Sequence, residues 1–178
     1  MKIIETNFRG LLIIEHSKFN DDRGFFKEIF KLEMLEKKYD YRFKFIQENL
    51  VKSYKMVLRG LHFQNPPYSQ SKLISVFKGE IFDIAVDLRK DSATYGKYFS
   101  MEISEFCNRS LIIPKGFAHG YLTLSDEALI NYKVDNIYNK KSENGIMFND
   151  MNLNIDWGYD HSNFIVSKKD KSFKNYKW

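Results

Sequence analysis

At 178 residues, the chain is long enough to bury a core of its own, and we expect one domain spanning residues 1–178. Its net charge of +5, from 28 basic and 23 acidic side chains, is spread along the chain. We therefore expect a solvated surface or attraction to a small polyanion, and no nucleic-acid partner. The single Cys107 excludes an internal disulfide. No apolar run approaches the roughly 20 residues of a membrane span and no signal segment opens the chain, so we expect a cytoplasmic protein with no membrane partner.

The first quarter of the chain predicts two short strands and one helix. The apolar run Leu11 to Glu15 predicts a strand, and the Asn, Asp and Gly residues of 20–24 predict a turn. A second strand is predicted from Phe25 to Phe30. The stretch Leu32 to Tyr39 has apolar residues at helical spacing and is the only helix that the pattern favours.

From Phe43 onward the pattern predicts strands alone, separated by turn residues. Many short strands without intervening helices are typical of an all-β sandwich or barrel. The final stretch, from Ser162, is polar and basic, and we expect it to be a partly irregular tail. The predicted strands are Phe45 to Asn49, Met56 to Gln64, Lys72 to Phe77, Glu80 to Leu88, Tyr98 to Ile103, Leu111 to Ile113, Tyr121 to Leu124, Ala128 to Val134 and Ile146 to Phe148.

The stretch Leu58-Arg59-Gly60-Leu61-His62-Phe63-Gln64 gathers groups that can carry chemistry. Strict alternation along a strand would place Arg59 and His62 on opposite faces. A bulge at Gly60 would bring both to the same face. With Lys72 nearby in sequence, this predicts a proton-transfer site beside an anion clamp.

His62 fits a general base because a neutral imidazole takes up a proton near physiological pH. A carboxylate would fix its tautomer, and Asp170, Asp83 and Asp87 are all candidates for that role. A tyrosine such as Tyr132 can act as a general acid opposite a base, although packing is the usual role of a tyrosine. A single histidine on a strand is likewise often a hydrogen-bonded core residue.

The other three histidines carry weaker signals. His119 follows Pro114-Lys115-Gly116-Phe117-Ala118, which resembles the second motif of cupin barrels, where the histidine binds a metal. The first cupin motif needs His-x-His, but here Gln64 holds the second place, and an amide is a poor ligand for Zn²⁺ or Fe²⁺. We therefore expect no metal site. His16 and His161 have no supporting residues nearby, and we expect both on the surface.

Motifs along nearly the whole chain resemble those of the dTDP-4-dehydrorhamnose 3,5-epimerase family. The resemblance runs from about Phe19 to Asp170, and the order and spacing of its motifs make chance implausible. The matching stretches are Asp22-Arg23-Gly24-Phe25-Phe26-x-Glu28, Gln47-Glu48-Asn49, Val57 to Gln64, Lys72-Leu73, Gly79 to Arg89, Ile113 to Gly120, Leu124-Ser125, Tyr132-Lys133, Asn149-Asp150, Ile155-x-Trp157 and Ser167-x-Lys169-Asp170.

The resemblance implies an all-β, cupin-like jelly-roll β-barrel with a few short helices. It implies an enzyme without metal or other cofactor, and a homodimer that exchanges strands between subunits. The implied substrate is a nucleotide sugar, dTDP-4-keto-6-deoxyglucose, inverted at C3 and C5 on the way to dTDP-L-rhamnose and cell-surface polysaccharide.

Roles for individual residues follow from the same resemblance. His62 is the base, Asp170 its partner, Tyr132 the proton donor and Lys72 the stabiliser of the enolate oxygen. Tyr138 matches the residue that stacks on the nucleobase. The positions that match other substrate and diphosphate contacts are Arg23, Glu28, Gln47, Asn49, Arg59, His119, Glu143 and Lys169.

Three residues depart from the family pattern: Val51 where serine is common, Ser71 where glycine usually precedes the lysine, and Phe148 where tryptophan is usual. None of these removes an implied catalytic group. Four alternatives stay open. They are an epimerase that inverts C3 alone, an epimerase of another nucleotide-linked 4-keto sugar such as a GDP-linked 6-deoxyheptose, a non-catalytic sugar-binding module, and a metal-dependent cupin dioxygenase or isomerase, which Gln64 disfavours.

Overall fold

The computed structural model describes residues 1–39 and 44–177, which form fourteen β-strands, one α-helix and two 3-10 turns. The helix α1 spans Leu32–Tyr39, and the 3-10 turns span His161–Asn163 and Asp170–Ser172. The strands are β1 (Lys2–Glu5), β2 (Leu12–Glu15), β3 (Lys18–Asp21), β4 (Gly24–Lys27), β5 (Gln47–Tyr54), β6 (Val57–Gln64), β7 (Lys72–Lys78), β8 (Glu80–Asp87), β9 (Tyr98–Ser104), β10 (Arg109–Ile113), β11 (Phe117–Thr123), β12 (Glu127–Val134), β13 (Glu143–Gly145) and β14 (Ile165–Val166).

Two sheets carry the fold, and we call them sheet A and sheet B. Sheet A has the order β1-β2-β10-β7-β12-β5, and sheet B has the order β13-β6-β11-β8-β9, with β14 added in parallel to β6. Their facing sides share one apolar core, to which Ile74 and Ile130 of sheet A and Ala85 and Phe117 of sheet B belong. The prediction of an all-β, cupin-like jelly roll is confirmed, and the two sheets do not close into one continuous barrel.

The outer faces of both sheets are also covered. On sheet B, Ile84 and Val86 of β8 pack with Trp157 and Phe164 from the C-terminal third of the chain. On sheet A, Leu35 of α1 packs with strand residues such as Leu73 and Ile112. Because β8 is apolar on both faces, its sequence reads as a nearly continuous buried run.

Most strand predictions agree with the structure, with shifts at the ends. The strand predicted at Phe45 to Asn49 begins at Gln47 and runs on to Tyr54, and the start of this region at Phe43 lies outside the described residues. The strand predicted at Ile146 to Phe148 is wrong, since β13 pairs with β6 three residues earlier. The sequence did not predict β1 or β3, which are four residues each, nor the two-residue β14.

The predicted bulge in β6 is confirmed. Arg59 pairs with Tyr121 of β11 while His62 pairs with His119, so β6 has one residue more than β11 between these pairs. Gly60 adopts a φ of +131°, and a Cβ there would lie 2.5 Å from the Cα of Gly120. Glycine is therefore required at this crossing of two backbones.

A separate two-stranded hairpin, β3–β4, follows β2 and belongs to neither large sheet. Asp22 and Arg23 form its turn, as the sequence predicts, and Asp21 pairs with Gly24. Three phenylalanines of the hairpin are strongly exposed: Phe19 at 63%, Phe25 at 59% and Phe26 at 67%. Within the described part of the chain, no helix is long and apolar enough to cross a membrane.

Candidate active site

A cavity of 280 Å³ lies between the two sheets, at the end where β6, β7 and β12 meet. Sheet A and sheet B supply the facing walls of the cavity. In each sheet, alternate side chains along a strand point inward, and the strand pairing places these side chains side by side. The cavity is lined by Val51, Arg59, His62, Phe63, Gln64, Gln70, Lys72, Ile74, His119, Tyr121, Ile130, Tyr132, Tyr138 and Glu143. Seven of the residues singled out in the sequence therefore meet in one place: Arg59, His62, Lys72, His119, Tyr132, Tyr138 and Glu143.

His62 and Asp170 form a hydrogen-bonded pair at the wall of the cavity. His62 Nε2 lies 2.8 Å from Asp170 Oδ1, and a carboxylate can only accept, so Nε2 carries the proton. Nδ1 is then the basic nitrogen of the ring. The side chain of His62 is 32% exposed, whereas that of Asp170 is 5% exposed. Residue types and spacing left Asp170, Asp83 and Asp87 open as partners, the family resemblance implied Asp170, and the structure pairs His62 with Asp170.

Asp170 is held as a carboxylate by its surroundings. Burial alone would raise its pKa, but the hydrogen bond from His62, the Gly60 N–H at 3.2 Å from Oδ2 and Ser167 together keep the pKa below its usual value. The ring of Phe173, three residues on, packs edge-on against His62 at 5.6 Å between centroids. The C-terminal stretch thus orients the imidazole from two sides.

A second histidine–carboxylate pair lies on sheet B beside the first. His119 Nε2 donates to Asp83 Oδ2 at 2.8 Å, and both side chains are buried. Burial lowers the pKa of His119, and Asp83 only partly offsets this effect. Among the residues that the structure describes, nothing hydrogen-bonds to the other carboxylate oxygen, Asp83 Oδ1.

Lys72 enters the cavity from the start of β7, and its Nζ donates to the carbonyl oxygen of His62 at 3.4 Å. Burial lowers the pKa of Lys72 to about 8, although Asp83 and Glu143 act in the opposite direction. An ammonium group that has lost its water is a strong partner for developing negative charge.

Arg59 is fixed by a short polar network on the inner face. Its Nε donates to Ser53 Oγ at 3.0 Å, and the same oxygen shares a 3.0 Å hydrogen bond with the Tyr121 hydroxyl. Burial raises the pKa of Tyr121. A guanidinium group held in this way presents fixed donors to an anion in the cavity.

Tyr132 belongs to β12 and reaches the cavity from sheet A, across from His62 of sheet B. Burial raises the pKa of its phenol, an effect that nearby Arg59 opposes. Within residues 1–39 and 44–177, no group hydrogen-bonds to the Tyr132 hydroxyl. The phenol is therefore protonated at neutral pH and available as a donor.

Tyr138, Glu143 and Lys169 form a chain at the mouth of the cavity. The Tyr138 hydroxyl donates to Glu143 Oε2 at 2.9 Å, and Lys169 Nζ lies 2.5 Å from Glu143 Oε1. Burial would raise the pKa of Glu143, but Lys169 and Tyr138 keep it below its usual value. Tyr138 is about half exposed.

Six of the site residues named from the sequence are not part of the lining: Asp170 and Lys169, which bond to the lining residues His62 and Glu143, and four that lie farther along the chain's surface. Gln47 and Asn49 lie on β5, bonded to each other at 2.9 Å, and Asn49 pairs with Tyr132 in the sheet. Arg23 sits at the hairpin tip, where it bonds to Asp21, and the Glu28 side chain is exposed just beyond the hairpin.

His16, His161 and Gln64 were also discussed from the sequence, and none of them acts as a metal ligand or catalytic group in the proposed reaction. The prediction of His16 at the surface is wrong, since it is 5% exposed and bonded to Ser110 Oγ and the Glu28 carbonyl. His161 is exposed, as predicted. Gln64 donates to the carbonyls of Tyr68 and Ile137 and accepts from the Asn139 N–H, so its amide braces loops. In the described residues, no three His, Cys, Asp or Glu side chains come together as a metal site would require.

Sequence reasoning missed several cavity residues. Ser53, Gln70, Tyr121, Ile130 and Phe173 were not singled out, although they line or support the site. Tyr121 could have been found, since it lies two residues after His119 and therefore on the same face of a strand. Phe173 could not have been found from the sequence, because only the fold of the C-terminal stretch brings its ring against His62.

The family model for dTDP-4-dehydrorhamnose 3,5-epimerase matches residues 5–177 of the chain. A dTDP-4-dehydrorhamnose 3,5-epimerase from Shigella flexneri is 45% identical over 170 residues, which is 96% of this chain and 93% of that protein. The residues matched by the family model include every residue that lines the cavity.

Solved structures are similar over the same extent. The crystal structure of dTDP-4-dehydrorhamnose 3,5-epimerase from Elizabethkingia anophelis superposes with a TM-score of 0.95 at 41% identity, covering 99% of this chain and 96% of the other. A dTDP-6-deoxy-D-glucose-3,5-epimerase from Legionella pneumophila in complex with dTDP-4-keto-L-rhamnose gives a TM-score of 0.92 at 41% identity, covering 98% and 92%.

Proposed function

The chain belongs to the dTDP-4-dehydrorhamnose 3,5-epimerase family, and we propose that its cavity inverts C3 and C5 of dTDP-4-dehydro-6-deoxy-D-glucose to give dTDP-4-dehydro-L-rhamnose. One observation carries this proposal. A histidine with a carboxylate partner lies on one wall, a neutral tyrosine lies on the facing wall, and a half-buried lysine lies beside the histidine.

The substrate itself makes this chemistry accessible. The protons at C3 and C5 are both adjacent to the C4 ketone, so removal of either gives an enolate delocalised onto the C4 oxygen. The reaction moves protons and leaves the oxidation state of the sugar unchanged. Side chains alone can therefore supply it, and we propose that no cofactor takes part.

His62 acts as the base in this proposal. Its Nδ1 is the free basic nitrogen, since Nε2 is bonded to Asp170. The carboxylate stabilises the imidazolium that forms when the proton is taken up, and the Gly60 N–H and Phe173 keep the pair in position.

Lys72 stabilises the charge that develops on the C4 oxygen. A fixed cation in a site without water acts mainly on the transition state, and loss of one such donor typically costs about 3 kcal/mol. Its place beside His62 fits this role, because the proton removed and the oxygen that gains charge are only a few bonds apart.

Tyr132 delivers a proton to the opposite face of the enolate. Inversion requires that the proton arrive from the side opposite the one it left, and the facing positions of Tyr132 and His62 on two sheets meet that requirement. The raised pKa of Tyr132 keeps the phenol protonated until the enolate forms.

The nucleotide is held toward the mouth of the cavity in this proposal. Arg59 and Lys169 supply positive charge and donors for the diphosphate, His119 lines the same cavity, and Tyr138 offers exposed ring surface for the nucleobase. Gln47 and Asn49 lie next to Tyr132 along the sheet and extend the same polar surface.

We also propose that the active form is a homodimer. Arg23 and Glu28 match substrate contacts of the family but lie away from the cavity of their own chain, at the β3–β4 hairpin. The exposed phenylalanines of this hairpin and the exposed Leu50 and Tyr54 on edge strand β5 form apolar surface that a second copy can cover. Arg23 and Glu28 would then complete the cavity of the partner subunit.

The single free cysteine fits a reducing compartment, and we place the enzyme in the cytoplasm.

Incubation of the purified protein with dTDP-4-dehydro-6-deoxy-D-glucose in D₂O tests the proposed function. We expect deuterium at both C3 and C5 by proton NMR and mass spectrometry. Deuterium at C3 alone would identify a C3 epimerase. Uptake only into a GDP-linked 4-keto sugar, offered in parallel, would reassign the substrate, and no uptake from any sugar would contradict the proposal.

A further inference from the structure

Asp170, the carboxylate that supports His62, lies in the short 3-10 turn Asp170–Ser172 near the end of the chain. Before this turn, β14 pairs in parallel with β6 and fixes the chain. After it, residues 173–177 run alongside β13 and the loop that follows β13. We call residues 173–177 the C-terminal strap. Because the turn lies between β14 and the strap, the position of Asp170 depends on both.

The first residue of the strap, Phe173, fills the space beside the imidazole. Its ring packs edge-on against His62 and covers Gly145 of β13, where a Cβ would lie 2.3 Å from the ring. Gly145 pairs directly with His62 across β13 and β6. The imidazole is therefore placed by the Asp170 carboxylate and by the Phe173 ring, and both depend on the course of the C-terminal stretch.

Two contacts near the surface attach the strap to the rest of the protein. The Lys174 backbone forms a parallel bridge with Ile146, and the Met147 N–H donates to the Lys174 carbonyl at 3.1 Å. The Tyr176 hydroxyl is hydrogen-bonded to Tyr95, in the loop between β8 and β9. Lys174 is exposed and Tyr176 is partly exposed, so water competes for these hydrogen bonds.

A buried carboxylate, Asp150, also binds the strap. Its side chain accepts at both oxygens, and the residue is 1% exposed. Oδ1 accepts from the Asn152 N–H at 2.8 Å and from the Leu153 N–H at 3.0 Å, which closes a local turn. Oδ2 accepts from the Tyr176 N–H at 2.7 Å. One oxygen thus builds the turn and the other holds the strap, through a hydrogen bond strengthened by the negative charge.

We propose that Asp150 is a positioning residue for proton transfer. By holding the strap at Tyr176, it keeps Asp170 and Phe173 against the imidazole of the base. This inference rests on the proposed function, in which His62 removes the proton. Asp150 lies outside the cavity lining, so it acts on the reaction through the strap. Release of the strap lets the imidazole turn from its productive orientation and leaves the contacts to the nucleotide in place.

The variant Asp150→Asn releases the strap with little change elsewhere. Its amide oxygen can accept the two N–H groups that Oδ1 accepts, which leaves the amide NH₂ facing the Tyr176 N–H, a donor against a donor. We expect kcat for deuterium uptake into the 4-keto sugar to fall about tenfold, with KM changed by less than about twofold. The matched control is Asp156→Asn, whose carboxylate accepts from the Gly158 N–H in an exposed turn, and both constants should stay unchanged.

Proton NMR of the isotope-labelled protein without substrate follows the His62 Nε2–H directly. A proton held between an imidazole and a carboxylate gives a downfield signal that exchanges slowly with water, and its loss in His62→Asn assigns it. We expect Asp150→Asn to broaden this signal through faster exchange and Asp156→Asn to leave it unchanged. A purely structural role of Asp150 would lower the free energy of unfolding without changing the signal.

Tyr176→Phe is a second test, which decides the outcome if Asp150→Asn does not fold. It removes only the hydroxyl bonded to Tyr95, and we expect the same broadening with a fall in kcat of about threefold.

An unchanged rate or an unchanged His62 signal in folded Asp150→Asn would overturn the inference, as would either result in Tyr176→Phe if Asp150→Asn does not fold. No deuterium uptake by the unmodified protein would contradict the proposed function instead. The NMR comparison would then still show whether Asp150 holds His62 and Asp170 together.

Discussion

At the scale of single residues, burial sets the chemistry of the cavity. Lys72, His119 and Tyr132 are each shifted by desolvation toward the neutral form. Asp170 and Glu143 remain carboxylates because hydrogen bonds outweigh their burial. The cavity therefore combines a phenol that stays protonated at neutral pH with a lysine whose charge is lost above about pH 8.

The lowered pKa of Lys72 predicts a fall in activity at alkaline pH. With a pKa of about 8, the ammonium is charged below pH 8 and loses its proton above it, so the stabilising cation disappears as pH rises. We expect kcat/KM for deuterium uptake to fall above about pH 8. Tyr132 does not interfere there, because its pKa is raised.

The variant Lys72→Arg distinguishes deprotonation of Lys72 from deprotonation of any other group as the cause of the alkaline fall in activity. A guanidinium keeps its charge at every pH in the range, so the variant, although slower, should show no fall between pH 8 and 10. The same alkaline fall in Lys72→Arg and the unmodified protein would show that another group titrates.

Asp170→Asn tests the histidine–carboxylate pair. The amide keeps the size of the side chain but removes the negative charge that stabilises the His62 imidazolium. We expect the rate of deuterium uptake to fall about 100-fold, with substrate binding little changed. Asp126→Asn at an exposed surface ion pair is the matched control and should retain full activity. An unchanged rate in Asp170→Asn would exclude a role in proton transfer.

Residue identities were predictable from the sequence where a motif carries the chemistry, as for His62 and Lys72. Residue types and spacing did not predict which side chains pair, because pairing depends on contacts between distant parts of the chain, and only the family resemblance implied Asp170 as the partner of His62. Asp83 was one of three partners considered for His62, yet it bonds to His119. His16, with no motif around it, lies buried against Ser110, which is 94 residues away.

At the scale of elements, the bulge in β6 organises the site. It brings Arg59 and His62 to the same cavity and lets the Gly60 N–H reach Asp170. Periodicity alone would have placed the two side chains on opposite faces, and Gly60 was the signal that alternation would break.

Gly60→Ala should therefore disturb both stability and activity. The added Cβ would lie 2.5 Å from the Gly120 Cα at a φ that alanine avoids. We expect the free energy of unfolding to fall by at least about 2 kcal/mol, with most activity lost, as measured by urea denaturation and deuterium uptake.

Gly158→Ala is the matched control, since Gly158 also has a positive φ but a Cβ there would meet nothing within 4 Å. The Gly158→Ala variant should lower the free energy of unfolding by about 1 kcal/mol through backbone strain alone and leave activity intact. An equal loss of unfolding free energy in Gly60→Ala and Gly158→Ala would mean that the close approach of β6 and β11 is not what requires glycine at position 60.

Element boundaries were the weaker part of the sequence prediction. Long apolar strands such as β8 and β12 were found nearly to the residue, because a buried strand reads as a continuous apolar run. The short β1, β3 and β14 lack such a run, and β13 is a polar strand placed by its pairing with β6 rather than by its own sequence.

At the scale of the whole molecule, the exposed hairpin predicts association. We expect sedimentation to give twice the chain mass of 21.2 kDa. Phe26→Ser should shift the protein toward monomer and weaken activity, because Arg23 of the same hairpin would leave the partner's cavity. Met151→Ser, at a similarly exposed site, should do neither. A monomer with full activity would contradict the dimer.

The measurement that tests the central claim most directly compares proton exchange with inversion in two variants, Tyr132→Phe and His62→Asn, incubated with dTDP-4-dehydro-6-deoxy-D-glucose in D₂O. If His62 removes the proton and Tyr132 delivers one to the other face, Tyr132→Phe should incorporate deuterium into unreacted substrate with its configuration retained, while inversion is lost. His62→Asn should lose both exchange and inversion. Normal inversion by Tyr132→Phe, or exchange by His62→Asn, would contradict the assignment of the two groups to opposite faces of the sugar.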